Sequence, residues 1–79
     1  KLKFSFKEQR EFETIDEDIA ALEARIEENQ LQQGLCGSDY VKLQQLQTEL
    51  TELEAQLEFK TERWMYLTEL KEQIDAQGK

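Results

Sequence analysis

Leu43-Gln44-Gln45-Leu46-Gln47-Thr48-Glu49-Leu50-Thr51-Glu52-Leu53-Glu54-Ala55-Gln56-Leu57 sets a leucine at alternating steps of three and four residues. Such alternation keeps one apolar seam facing one partner along a supercoiled helix. The pattern continues without a slip through Lys60, Trp64, Leu67, Lys71 and Ile74. Upstream, Phe12, Ile15, Ile19, Leu22 and Ile26 form a second seam with the same spacing. Charged residues make up 35% of the chain and proline is absent, as suits long helices. The class predicted is all-α.

Between the seams lies Gln32-Gln33-Gly34-Leu35-Cys36-Gly37-Ser38-Asp39. Gly34 is a candidate for the left-handed position that ends the first helix. Ser38 or Asp39 can cap the second. Ser5-Phe6-Lys7-Glu8 matches a capping box at the start of the first. The prediction is a single domain: a two-helix antiparallel coiled-coil hairpin with helix one over residues 6–31, a turn over 32–38 and helix two over 39–76.

Folding at the two glycines pairs Ile26 with Leu43, Leu22 with Leu46, Ile19 with Leu50, Ile15 with Leu53 and Phe12 with Leu57. The same rule sets Lys60 against Glu8, an opposite charge that favours the hairpin over a parallel dimer. It also brings Asp18 near Glu49, Asp16 near Glu54 and Arg25 near Lys42, which repel. Helix two overhangs helix one at Leu70 and Ile74; Phe59, Tyr66 and Leu70 add apolar surface beside the main seam, and Leu2, Phe4 and Phe6 are placed to cover it.

Seventy-nine residues bound the chain to one small domain with little stability to spare. Its first residue is Lys, and it reads as a piece of a longer chain. No apolar run exceeds Ile19-Ala20-Ala21-Leu22 in length, so no membrane partner is expected. One cysteine, Cys36, permits no internal disulfide, which suits a reducing compartment. With nothing basic adjacent in sequence, Cys36 is expected to be an inert thiol in the turn.

No catalytic residue, resident cofactor or metal site is expected, and the chain is predicted not to be an enzyme. Histidine is absent, which removes the imidazole base and His-based metal ligation. Gly34-Leu35-Cys36-Gly37 lacks the lysine of a phosphate loop. Acidic residues on helix faces read as solvating charge. Trp64, at a seam position, is expected in the core.

The net charge of −8 argues against indiscriminate nucleic-acid binding, but its distribution is uneven. Residues 1–10 carry Lys1, Lys3, Lys7 and Arg10 against Glu8 alone, whereas 11–58 carry thirteen acids against Arg25 and Lys42. The hairpin gathers these N-terminal cations beside Lys60 and Arg63, with Phe4, Phe6 and Tyr66 among them. Cations interleaved with aromatics can neutralise phosphates and stack on bases. The plainer alternative is a solubilising helix end whose charges pair with Glu8, Glu11 and Glu62.

Lys3-Phe4-Ser5-Phe6-Lys7-Glu8-Gln9-Arg10-Glu11-Phe12-Glu13 resembles the K-L-S-Y-K-E-Q-R-E-L-E signature that opens the C-terminal domain of Uup-type ABC-F ATPases. Glu62-Arg63-Trp64-Met65-Tyr66-Leu67-Thr68-Glu69-Leu70 is similar to that domain's E-R-W-E-Y-L-E-x-L segment. With the heptads between them, the resemblance covers nearly the whole chain. Ile15-Asp16 stands where the family often has Leu-Pro, which leaves open whether helix one is broken there. The family's inter-helix loop is often longer, so no loop function is carried over.

The resemblance implies a bacterial cytoplasmic protein in which two ATP-binding cassettes, with their ATP and Mg, precede this hairpin. It implies association with ribosomes and translation, and binding of DNA or ribosomal RNA through the matching basic positions Lys3, Lys7, Arg10 and Arg63. The alternative is a structural brace docking on the cassettes without nucleic-acid contact, through Leu70, Ile74, Phe59 and Tyr66.

Overall fold

The computed structural model describes residues 2–78 and contains two α-helices packed antiparallel as a hairpin. Helix α1 spans Phe6–Leu35 and α2 spans Tyr40–Gln77. The hairpin measures 61 × 16 × 14 Å. No described helix is long and apolar enough to cross a membrane.

Ser5 caps α1 through a complete capping box. Its hydroxyl accepts from the Glu8 amide at 3.1 Å, and Glu8 Oε1 accepts from the Ser5 amide at 2.9 Å. The helix continues unbroken through Ile15-Asp16, where Ile15 is fully buried. Proline would have removed an amide hydrogen bond there; aspartate does not.

The turn departs from its expected place. Gly34 lies inside α1, and Gly37, with φ 58°, takes the left-handed conformation instead. Residues 36–39 make the connection, and Asp39 caps α2 by accepting from the Lys42 amide at 3.1 Å. The free Cys36 is half-buried, its thiol donating to the Gln32 carbonyl oxygen at 3.3 Å.

Moving the turn changes the pairing of the helices. Glu8 meets Tyr66, and Lys60 meets Asp18 at 3.2 Å rather than Glu8. Each residue by which a turn centre moves shifts the pairing by about two, so a move of about three slides the helices by about one heptad. A heptad slide is the displacement that returns the seams to face one another, so spacing alone did not distinguish these registers. Asp18, expected beside Glu49, has gained an opposite charge instead.

Asn29 marks the observed register. It is 3% exposed, and its Nδ2 donates to the Leu46 carbonyl oxygen at 2.9 Å while its Oδ1 accepts from Gln33 Nε2 at 2.7 Å. The three-four spacing extended beyond Ile26 lands on Asn29, so the seam runs on in polar form. A buried amide in a coiled-coil seam favours the register in which it is hydrogen-bonded, here to the Leu46 carbonyl oxygen across the helices.

The apolar core consists of Ile15, Leu22, Leu53 and Leu67. Trp64 is 39% exposed rather than buried, at a level of the hairpin where the helices are joined by the polar pairs Glu8–Tyr66 and Glu11–Arg63. Beyond the start of α1 the chain runs back along α2. The Leu2 amide donates to Gln77 Oε1 at 3.0 Å, and Gln77 Nε2 donates to the Leu2 carbonyl oxygen. Extended backbone rises about 3.3 Å per residue and helix about 1.5 Å, so a short extended segment spans the last two turns of α2. Leu70 and Ile74 are accordingly half-buried. Phe4 packs on Phe12 with ring centroids 5.3 Å apart, but Phe6 remains 77% exposed.

Candidate nucleic-acid interface

The chain-end pole is built from residues 2–5, the first turns of α1 and the last turns of α2. Side chains joining the helices determine which of its cations remain available. Arg63 donates to Glu11 from Nε at 2.9 Å and from Nη2 at 2.7 Å, a bidentate pair. Its guanidinium also lies over the Tyr66 ring, 5.0 Å from the centroid. Tyr66 Oη donates to Glu8 Oε2 at 3.0 Å, which links the cluster to the capping box.

These contacts shift the titration of four groups. The hydrogen bond from Arg63 holds the Glu11 carboxyl below its ordinary range. Glu8 is also held down, first by the Ser5 amide and then by the Tyr66 hydroxyl. The Tyr66 phenol is pushed up because its proton bonds the Glu8 carboxylate, and Arg63 is raised by its bond to Glu11. Each shift favours the protonation state that makes the contact at neutral pH.

The four expected contact residues therefore divide. Lys3 is exposed on the N-terminal segment, and Lys7 and Arg10 are exposed on the first turns of α1. Among the described residues, none of these three enters an ion pair. Arg10 sits over the Phe6 ring, 5.7 Å from its centroid. Arg63 is at the same pole, but its charge is matched by Glu11. Lys1 lies outside the described residues. Lys60 and Lys71 pair with Asp18 and Asp75.

Sequence reasoning named Glu11 as a possible partner for the basic end without assigning it to Arg63. It missed Asn29 because the apolar series was followed only as far as Ile26.

A model of the ABC transporter C-terminal domain family matches residues 3–69. The chain belongs to this family. An ABC transporter C-terminal domain is thus what the hairpin constitutes, and its two signature stretches fall on the pole just described. The domain is 32% identical over 74 residues to an uncharacterized ABC transporter ATP-binding protein, YfmR of Bacillus subtilis (strain 168). The match takes in 94% of this chain but 12% of that relative's length. No solved structure matches the domain.

Among the described residues of this C-terminal domain, no group of three or more acidic or cysteine side chains is gathered to hold a cation. The Gly34–Gly37 stretch begins inside a helix and offers no lysine to a phosphate.

Proposed function

We propose that this C-terminal domain is a non-catalytic arm that binds DNA or ribosomal RNA for a bacterial, cytoplasmic ATPase of the Uup type. The carrying observation is the division of cations at the chain-end pole: Lys3, Lys7 and Arg10 are exposed and, among the described residues, enter no ion pair. Uncompensated cations release counterions from a polyanion, which drives sequence-independent binding. Elsewhere the acids of residues 11–58 repel the same polymer, so contact is confined to the pole. ATP and Mg chemistry is assigned to cassettes outside this chain, and the arm positions them on DNA or on the ribosome in translation.

Arg63 enters this reading as a brace and not as a phosphate ligand. It ties α2 to the turn that carries Lys7 and Arg10, and so fixes where those charges stand.

Fluorescence anisotropy with labelled duplex DNA and structured RNA at low salt tests the proposal. Binding is expected in the weak, roughly micromolar-or-worse range of non-specific complexes at physiological salt. Lys7→Glu with Arg10→Glu should abolish it while helix content by circular dichroism is retained. Absence of binding by the folded wild-type chain, or unchanged binding by the double variant, would overturn it.

A second reading, docking on the cassettes as a brace, draws on apolar surface along α2. Phe59 and Met65 are 60% and 59% exposed, and Phe59 borders a shallow groove with Leu22, Ala55, Gln56 and Lys60. The half-buried Leu70 and Ile74 contribute less to it than Phe59 and Met65.

A further inference from the structure

Of the aromatic residues Phe4, Phe6 and Tyr66, set among the cations of the pole, the fold has employed two. Phe4 packs on Phe12, and Tyr66 is held between the Glu8 carboxylate and the Arg63 guanidinium. Phe6 is different. It opens α1 at 77% exposure, and the Arg10 guanidinium lies over its ring, 5.7 Å from the centroid. The adjacent Lys7 and the nearby Lys3 are exposed and outside the ion pairs.

An exposed phenyl ring beside a planar guanidinium, flanked by free ammonium groups, suits a particular ligand. The cations take phosphates, while the ring offers an apolar face of the size of a base. A base inside a duplex is already stacked on both faces and cannot meet a ring projecting from a helix end. An unpaired base can.

Resting on the proposed nucleic-acid reading, the geometry points to unpaired nucleotides as the ligand of the pole, with Phe6 stacking on one base while Lys3, Lys7 and Arg10 hold the adjoining phosphates. A single DNA strand and an unpaired RNA loop supply the same chemistry, and the test separates them. Arg10 serves twice, as a phosphate donor and as the planar group beside the Phe6 ring.

The test measures anisotropy of four labelled probes on the folded chain at low salt. They are an oligothymidine strand, an RNA stem-loop, an abasic strand of the same length and a dumbbell duplex closed at both ends by oligoethylene-glycol linkers, without free ends or unpaired bases. Base–aromatic stacking contributes about 1–3 kcal/mol per base, equivalent to about 5- to 150-fold in affinity. Phe6→Ala should weaken the thymidine strand, the RNA loop or both by that factor, and should leave the abasic strand and dumbbell unchanged. Phe6→Tyr should restore the loss. The stronger of the two responsive probes identifies the polymer that supplies the unpaired base.

Equal binding of the thymidine strand and RNA loop by wild type and Phe6→Ala overturns the inference. If Lys7→Glu still weakens every probe in that case, the nucleic-acid reading stands without it. If wild type binds none of the four, both fall. Phe6 is exposed, so circular dichroism of Phe6→Ala should match wild type; an unfolded variant would itself contradict the structural premise.

Discussion

Glu11 accepts two hydrogen bonds from Arg63 across the helix interface, at 2.9 Å from Nε and 2.7 Å from Nη2. Both side chains are partly shielded, Glu11 at 24% and Arg63 at 33% exposure. The fixed fork of a guanidinium makes such a pair stronger than a single exposed contact. Glu11→Gln should cost about 1 kcal/mol at neutral pH, and a double-mutant cycle with Arg63→Ala should assign most of that to the pair. The pH dependence has a definite sign. A carboxyl depressed from its ordinary value of 4.5 contributes stability above that pH and loses it as pH falls through the folded value. The melting difference between wild type and Glu11→Gln should therefore close in acid, below about pH 4.5. A gap that persisted there would show that Glu11 acts through packing and not charge.

The two turn glycines should respond in opposite directions. A side chain at Gly34 would meet nothing within 4 Å, and the residue is helical. Gly34→Ala should raise stability by about 0.5–1 kcal/mol. Gly37→Ala should lower it by about 1–2 kcal/mol, because φ of 58° is strained for a residue with a Cβ. Urea unfolding of the two variants measures both, and a turn centred on Gly34 would give the reverse order.

Asn29→Leu should stabilise the hairpin while loosening its register. Leucine at a seam position buries apolar surface, for a gain of about 1–2 kcal/mol. The hydrogen bond to the Leu46 carbonyl oxygen is lost with the amide, and with it the penalty on a heptad slip. Spin labels at the exposed Glu13 and Glu62, with Cys36 replaced, should give one short intramolecular distance in the parent chain. A second, longer population should appear in Asn29→Leu; a single unchanged distance would mean that the turn alone fixes register.

Core and pole residues should also separate. Ile15 and Leu67 are fully buried, so Ile15→Ala or Leu67→Ala should cost about 2–5 kcal/mol. A domain this small has little more than that to lose, and both variants should be largely unfolded by circular dichroism. Trp64→Ala, from a site 39% exposed, should cost less and leave a folded chain.

With three available cations, log affinity for nucleic acid should fall against log salt with a slope of about −2 on a single strand and about −3 on duplex. Arg63→Ala should lower melting temperature but change the slope little. A drop of a full unit in slope would restore Arg63 to the phosphate contacts.

The fold was legible because two long seams and a glycine-bearing break leave few architectures for them. The capping box at Ser5 was legible for a similar reason, as a short-range hydrogen-bond pattern, and the cap of α2 was narrowed to Ser38 or Asp39, of which Asp39 serves. Register was not. The turn contains two glycines, and both placements return the seams to face one another. Asn29 distinguishes the placements, and it was passed over because a search for apolar spacing stops where the apolar residues stop. At the pole, four basic positions could be named from the chain, but not that Glu11 already engages one of them. That depends on pairing across the helices, and so on the register.

The clasp between Leu2 and Gln77 has a mechanical consequence. Both ends of the described chain leave from one pole, so tension applied between them pulls perpendicular to the helix interface and not along it. Load falls first on the clasp, then on Tyr66–Glu8 and Arg63–Glu11, then on Lys60–Asp18, with Asn29 and Leu46 last. The hairpin should open like a zipper, one contact at a time and at low force. The pole bearing Lys7 and Arg10 would lose its geometry long before the far turn registered any strain.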